Sequence, residues 1–185
     1  MSSQPLVSVI TATYNMGRYL GDTLESILGQ THTAMQAIVV DDGSTDDATP
    51  LVLERYADDP RVTVVRQENA GQTVAKNHGL RHAKGEFVGF CDADDLWRPD
   101  KVERQLSLFD DRDELGVVSG HFHFIDAEGT PLDTVRPRTP SGRTPGPLLP
   151  DNFIPFPTSL PPRSALEQFP GFDQSLPTAL AYPPR

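Results

Sequence analysis

The feature that most constrains the fold of this chain is the alternation of two apolar rhythms through its first hundred or so residues. Short β-branched runs predict buried strands at residues 7–11, 37–40, 61–65 and 87–91. Between these runs, apolar side chains recur at helical spacing around residues 20–28, 50–56 and 72–81. Strands that alternate with helices predict an α/β fold, a Rossmann-like three-layer sandwich whose central sheet is mostly parallel.

The rest of the chain follows a different pattern. A helix is predicted at residues 101–109, and one or two strands within residues 116–125. Fourteen of the 18 prolines follow residue 130, so this stretch is predicted to be mostly loop or extended chain. It still contains apolar side chains that are predicted to pack on the sheet: Phe153, Ile154, Phe156, Leu160, Leu166, Phe169 and Phe172.

Charge and composition exclude several classes of partner. The formal net charge of -10 argues against a nucleic-acid surface or a broadly basic membrane-binding face, because both need clustered Lys and Arg. No apolar run approaches the ~20 residues needed to cross a bilayer, and the N-terminal residues lack a secretory signal pattern. Cys91 is the only cysteine, which agrees with a reducing compartment. The sequence therefore predicts a cytoplasmic protein that does not bind nucleic acid.

Polar clusters follow three of the predicted strands, at residues 11–15, 41–45 and 92–95. Because the carboxyl ends of parallel strands open onto one edge of a sheet, residues far apart in sequence are expected to converge there on one crevice. Carboxylates gathered at such an edge repel one another unless a cation or hydrogen-bond donors compensate their charge. A bound divalent metal is the natural compensation.

Asp92, Ala93 and Asp94 form a DXD pattern directly after the fourth predicted strand. Mg²⁺ and Mn²⁺ prefer carboxylate oxygens, and Mg²⁺ is usually held by one or two carboxylates together with substrate phosphates. A DXD match alone occurs by chance in many acidic loops. The buried strand before it and the punctuated turn after it, which ends at Pro99, favour a metal site at Asp94 and Asp92.

Four motifs, in this order and spacing, carry a family resemblance: VSVITATYN at residues 7–15, VVDDGSTD at 39–46, NAG at 69–71 and DADDLW at 92–97. The chain resembles the family 2 glycosyltransferases, which have the GT-A fold. The resemblance implies that residues 1–130 form the nucleotide-sugar (donor) binding core. It also implies that residues 131–185 are an incomplete, proline-rich acceptor-side segment of the same domain.

The resemblance also implies roles for individual residues. The loop from Thr11 to Tyr14 would line the nucleoside pocket, with the Tyr14 ring against the base, and Asp42 would contact the base or ribose. Asp92 would lie near the ribose and metal, and Asp94 would ligate Mg²⁺ or Mn²⁺. The nucleotide-sugar site implied in this way comprises Thr11, Ala12, Tyr14, Asp42, Gly71, Lys76, Asp92 and Ala93.

Several of these residues also have purely structural interpretations. Tyr14 could cap the core, and Asp41 is better explained as a turn or helix-cap residue than as a ligand contact. Gly71 could provide a backbone bend. Lys76 could assist the diphosphate, but a solvated helix face is the favoured interpretation of its position.

The catalytic base is the weakest part of the resemblance. Members of the family usually supply it from a Glu-Asp pair shortly after a Gly-Phe-Asp segment, which residues 171–173 match. No such pair follows here, and Pro183 and Pro184 exclude the expected helix. The sequence predicts a truncation, a boundary or a base located elsewhere, with Asp173 as the only carboxylate nearby.

Three functions follow from these observations. The first is a metal-dependent inverting glycosyltransferase that moves a sugar from a nucleoside diphosphate donor, favoured to be a UDP-sugar, to a glycan or lipid-linked acceptor in polysaccharide or glycoconjugate assembly. The second is a non-catalytic nucleotide-sugar-binding remnant. The third, a nucleotidyltransferase, would need a glycine-rich basic loop after the first strand, where residues 11–18 offer only Gly17 and Arg18. Peripheral association with the inner face of the membrane and a homodimer stay open.

Overall fold

The fold is described from a computed structural model, which covers residues 4–110, 112, 114–132, 142, 155–168 and 171–174. Four parallel strands form its sheet in the order β3-β2-β1-β4. The strands are β1 (Val7–Thr13), β2 (Met35–Asp41), β3 (Val62–Arg66) and β4 (Phe87–Phe90). All four predicted strands are present, and the α/β fold with a parallel sheet is confirmed.

Helices cover both faces of the sheet, as the alternation predicts. They are α1 (Gly17–Leu28), α2 (Ala48–Arg55), α3 (Gln72–Leu80) and α4 (Lys101–Leu106). Because strand side chains alternate between faces, odd-numbered residues of β1 and β2 pack with α1 and α2, whereas even-numbered ones pack with α3. The two apolar clusters fix the sheet between its helices, and none of the helices within the described ranges is long and apolar enough to span a membrane.

The prediction of regular strands within residues 116–125 is wrong. This stretch makes isolated bridges only, from Val118 to Leu160 and from Ile125 to Pro131. Val117 and Phe124 are exposed, so the alternation of apolar side chains has no second layer against which to bury one face. The predicted helix at 101–109 forms, but it ends at Leu106.

Residues 155–168, which belong to the proline-rich stretch, pack against the outer edge of β4. Pro162 bridges to Phe87, and the Arg163 amide donates to the carbonyl of Glu86 at 2.7 Å. A 3-10 helix (Phe156–Thr158) and a short helix α5 (Arg163–Leu166) flank this contact. Four of the predicted apolar anchors pack on the two clusters, namely Leu160, Phe156, Leu166 and Phe172. The other three, Phe153, Ile154 and Phe169, lie outside the described residues.

Candidate functional site

The three polar loops after β1, β2 and β4 meet at one edge of the sheet, because these strands are parallel neighbours. Hydrogen bonds tie the loops to one another and to α1. The Asn15 amide oxygen accepts from the backbone nitrogens of Thr45 at 2.7 Å and Asp46 at 3.1 Å. The Thr23 hydroxyl donates to the carbonyl of Ala93 at 2.9 Å. The predicted convergence of the strand ends is therefore confirmed.

Asn15 is a site residue that sequence reasoning did not single out. Its φ of 55° lies in the left-handed region, which asparagine tolerates better than most residues. Its backbone nitrogen donates to the Ser44 hydroxyl at 3.0 Å, in addition to the bonds made by its side chain. An asparagine directly after a strand end, where the chain must turn, is the signal that points to this linking role.

Of Thr11, Ala12 and Tyr14, only Tyr14 is exposed, and the first two belong to strand β1 rather than to the loop after it. Tyr14 is 45% exposed, so the interpretation that it caps the core is wrong. Thr11 is buried on the α1 and α2 face, and Ala12 packs toward the opposite face beside α3. The Thr11 hydroxyl has no hydrogen-bond partner among the described residues. Thr11 and Ala12 thus pack into the two faces of the sheet, whereas the Tyr14 ring is exposed.

Asp42 lies buried in the second loop, with 4% of its surface exposed. Its Oδ1 accepts from Gln67 Nε2 at 2.7 Å and from the Ala70 amide at 2.9 Å, and its Oδ2 accepts from the Gly71 amide at 2.8 Å. A carboxylate offers about four acceptor positions, so one position on Oδ2 is left for a further donor. Asp42 therefore fixes the loop before α3 and keeps limited capacity for a ligand.

Two structural interpretations from the sequence agree with these contacts. Asp41 accepts from the Ser44 amide at 2.9 Å, which confirms its role as a turn residue. Gly71 has a φ of 90° and precedes the first residue of α3. The Gly71 amide donates to Asp42, and a positive φ is a conformation that glycine adopts at no steric cost. Gly71 is therefore explained as a backbone bend.

Lys76 corrects the sequence interpretation most clearly. It does not lie on a solvated helix face, since only 1% of its surface is exposed. Its ammonium donates to Asp92 Oδ1 at 2.9 Å and lies 5.5 Å from the centre of the Phe156 ring. The covering ring comes from a distant part of the chain. Helical periodicity describes only neighbouring residues, so it does not predict a contact with Phe156. For this reason the sequence predicted a solvated position for Lys76.

The DXD loop combines an exposed and a partly buried carboxylate. Asp94 is exposed, whereas the side chain of Asp92 is 26% exposed and engaged by Lys76. Ala93 is buried and turned toward α1 through its carbonyl. Burial, followed by the charges of Asp92 and Asp94, raises the pKa of Asp95 to about 6, and Lys76 only partly opposes this. The loop thus brings three carboxylates, those of Asp92, Asp94 and Asp95, close to the Lys76 ammonium.

This group of carboxylates is the observation that a divalent cation fits, because hard cations prefer carboxylate oxygens. Within the described parts of the chain, no group of three or more His, Cys, Asp or Glu side chains could hold a metal ion by itself. Asp94 and Asp92 offer one or two carboxylates, which is the share that a protein commonly contributes when phosphate oxygens supply further ligands. The residues present thus fit a metal that is shared with a diphosphate.

Beyond the loop, Trp97 packs in the core, with 6% of its surface exposed. The Lys101 ammonium lies 3.6 Å from the centre of the Trp97 ring and donates to Gln105 Oε1 at 2.8 Å. Burial lowers the pKa of Lys101 to about 7. Asp173 directly follows Phe172, whose backbone is held by the side chain of Asn77 on α3.

The amino-acid sequence is similar to those of known glycosyltransferases. The sequence profile of the family described as Glycosyl transferase family 2 matches residues 8–159. The chain is 41% identical over 131 residues to the putative teichuronic acid biosynthesis glycosyltransferase TuaG of Bacillus subtilis (strain 168), covering 70% of this chain and 52% of that protein. It is 39% identical over 125 residues to the chondroitin synthase of Escherichia coli, covering 68% of this chain and 18% of that protein. The chain therefore spans about half of the first relative and less of the second.

Solved structures share the fold over most of the chain. The mannosyltransferase PcManGT from Pyrobaculum calidifontis, in complex with GDP-Man and Mn2+, superposes with a TM-score of 0.71 and 26% identity, over 96% of this chain and 50% of that one. S. aureus TarS 1-349 in complex with UDP superposes with a TM-score of 0.72 and 25% identity, over 94% of this chain and 52% of that one.

Proposed function

The chain belongs to glycosyl transferase family 2 and has the GT-A fold, and we propose that it transfers a sugar from a nucleoside diphosphate donor to a glycan or lipid-linked acceptor. The observation that carries this proposal is the meeting of Tyr14, Asp42 and the DXD carboxylates at one edge of the sheet. Under this proposal, residues 1–130 are the donor-binding core, and residues 131–185 belong to the acceptor side.

The proposed donor runs along the carboxyl edge of the sheet. The nucleoside base stacks on the exposed Tyr14 ring, and the remaining acceptor position of Asp42 receives a donor group from the base or ribose. The diphosphate lies beside Asp94 and Asp92. UDP-sugars are the favoured donors, and the imide N–H of uracil would donate to Asp42.

Asp94 and Asp92 would hold Mg²⁺ or Mn²⁺, which when bound neutralises charge that grows on the leaving diphosphate. Lys76 keeps Asp92 in place through its buried ammonium. Asn15 and Thr23 hold the neighbouring loops, so the site is organised before the donor arrives. The chain's own residues thus bind and orient the donor.

Transfer with inversion needs a base that takes the proton from the acceptor hydroxyl as it attacks the sugar carbon. Asp173 is the candidate in this chain, because it follows Phe172, whose ring packs against Phe90 at the carboxyl end of β4. We propose that the protein works at the cytoplasmic face of a membrane, where lipid-linked acceptors are held.

Calorimetric titration tests the donor site. UDP, GDP and TDP are titrated into the chain with and without Mn²⁺, and metal-dependent binding of one of them is expected. Asp94→Asn should weaken this binding at least about tenfold, since it removes a charged ligand. Asp58→Asn, which changes an exposed carboxylate far from the DXD loop in sequence, serves as the matched control.

Two outcomes would contradict the proposal. Failure of every diphosphate to bind in the presence of Mn²⁺ would refute the donor site. Equal binding by wild type and Asp94→Asn would refute the metal assignment. Release of UDP from UDP-sugars by the chain then separates an enzyme from a non-catalytic binding module, which would bind the donor without consuming it.

A further inference from the structure

Asn77 on α3 bonds both backbone groups of a residue that lies 95 positions later in the chain. Its Nδ2 donates to the carbonyl oxygen of Phe172 at 2.8 Å, and its Oδ1 accepts from the Phe172 amide, also at 2.8 Å. A carboxamide supplies a donor and an acceptor side by side, so it replaces one rung of a β-ladder. Asn77 is 9% exposed, and the two bonds are therefore largely shielded from water.

The residue before Phe172 is shaped to permit this contact. Gly171 has a φ of 106°, which favours glycine. A Cβ at this position would lie 2.6 Å from Asn77 Oδ1, closer than a real contact allows. The glycine and the asparagine are thus complementary: the first lets the backbone approach, and the second binds it.

This clamp places segment 171–174 next to the proposed donor site. The Phe172 ring packs edge-on against the Phe156 ring, with centroids 5.2 Å apart. The Phe156 ring in turn lies 5.5 Å from the Lys76 ammonium, which is bonded to Asp92. An unbroken series of contacts therefore joins the segment to the DXD carboxylate.

The strand order tells which end of the donor the segment faces. Asp42 and Tyr14 follow β2 and β1, and Asp92 follows β4, which forms the far side of the three. A donor with its nucleoside at Tyr14 and its diphosphate at Asp92 runs across the strand ends toward β4, so its sugar end is the end nearest that strand. Phe172 packs against Phe90, the last residue of β4, with ring centroids 5.4 Å apart, which places segment 171–174 at the same end.

We infer that Asn77 is a positioning residue, which fixes segment 171–174 as the wall of the crevice at the sugar end of the donor, where an acceptor hydroxyl would enter. This inference rests on the proposed function, since it takes the direction of the donor from it. Asn77 acts through Phe172 and makes no contact with the donor itself.

Nuclear magnetic resonance of the full chain tests this inference with Mn²⁺ and UDP, or with GDP if calorimetry selects it. Mn²⁺ broadens amide signals steeply with proximity, so the amides of residues 92–95 and of Phe172 should broaden together in the wild type. Asn77→Ala should speed exchange of the Phe172 amide hydrogen at least about tenfold and remove its broadening, while residues 92–95 stay broadened. Asn77→Asp keeps an acceptor for that amide and should give an intermediate exchange rate.

Gln168→Ala is the matched control, because it removes an exposed carboxamide from the same part of the chain. It should change neither measurement. If Asn77→Ala does not fold, Gly171→Ala displaces the segment by its clash with Asn77 Oδ1, and the same loss of broadening at Phe172 is expected.

The outcomes separate the two claims. Broadening of residues 92–95 without Phe172 in the wild type, or unchanged Phe172 signals in Asn77→Ala, would overturn the inference and leave the donor site standing. Absence of broadening at residues 92–95 would refute the proposed function, and the inference would fall with it.

Discussion

The ion pair between Lys76 and Asp92 is expected to respond unequally to removal of its two partners. Only 1% of the Lys76 side chain is exposed, against 26% for Asp92, and the two charged atoms are 2.9 Å apart. At an effective dielectric constant of ~20, their attraction is about 6 kcal/mol, most of which offsets the cost of burying the ammonium. The cost of each substitution then depends on which group is left behind.

Asp92→Asn leaves a buried ammonium without its anion, and it should lower the free energy of unfolding by about 3–5 kcal/mol. Lys76→Met keeps the apolar stem and leaves Asp92, which water reaches and to which Gln72 Nε2 lies 3.3 Å away. Its expected cost is about 1–2 kcal/mol. The double variant should be more stable than Asp92→Asn alone, since it no longer buries an unpaired charge.

Urea denaturation at pH 7 without metal measures these differences. Trp97, the only tryptophan, is buried and reports unfolding by fluorescence. Glu167→Gln, which breaks the exposed pair with Arg163, is the control and should cost under about 0.5 kcal/mol. Equal costs for Asp92→Asn and Lys76→Met, or a larger cost for Lys76→Met, would refute the reasoning from burial.

Three further predictions concern other parts of the molecule. Burial lowers the pKa of Lys101 to about 7 from its usual 10.5, so between these pH values the unfolded chain binds more protons than the folded one and the free energy of unfolding should rise with pH. Lys101→Met should remove this rise, which urea denaturation at pH 7 and pH 9.5 measures. An unchanged rise in the variant would contradict the assignment. Asp42→Asn places an amide group where three donors converge, so it should lower the free energy of unfolding by about 1–3 kcal/mol and speed amide hydrogen exchange in residues 67–71. Wild-type exchange rates in that loop would argue against its attachment to Asp42. Gly89→Ala puts a Cβ 2.6 Å from the Trp97 ring, and thermal unfolding should show a loss of about 1–3 kcal/mol, with a neutral result excluding tight packing there.

Local pattern was sufficient to predict most of the sheet and its helices. The apolar runs before Asp41 and Asp92 are buried on both faces of the sheet, which makes them near-continuous apolar strings that are easy to recognise. The placement of the three polar loops followed from the topology of parallel strands, because that topology admits one edge for all the strand ends.

Contacts made by distant parts of the chain were beyond the reach of local pattern. The helical pattern around Lys76 predicts a solvated side chain, but Lys76 is buried because it is covered by Phe156, which lies 80 positions later in the chain. Asn77 acquires its role from Phe172 in the same way. The prediction of strands at residues 116–125 was wrong for the opposite reason. These residues alternate as in a strand, but no second layer packs on one of their faces.

The central claim is that a nucleoside diphosphate and a divalent metal bind at the edge formed by the loops after β1, β2 and β4. Crystals grown with Mn²⁺ and UDP, or GDP if that nucleotide binds, test it directly through the anomalous scattering of manganese. The account predicts an anomalous peak within coordination distance of the Asp94 carboxylate, with the nucleobase against the Tyr14 ring. A manganese peak at another set of residues, or a base bound away from Tyr14, would contradict it.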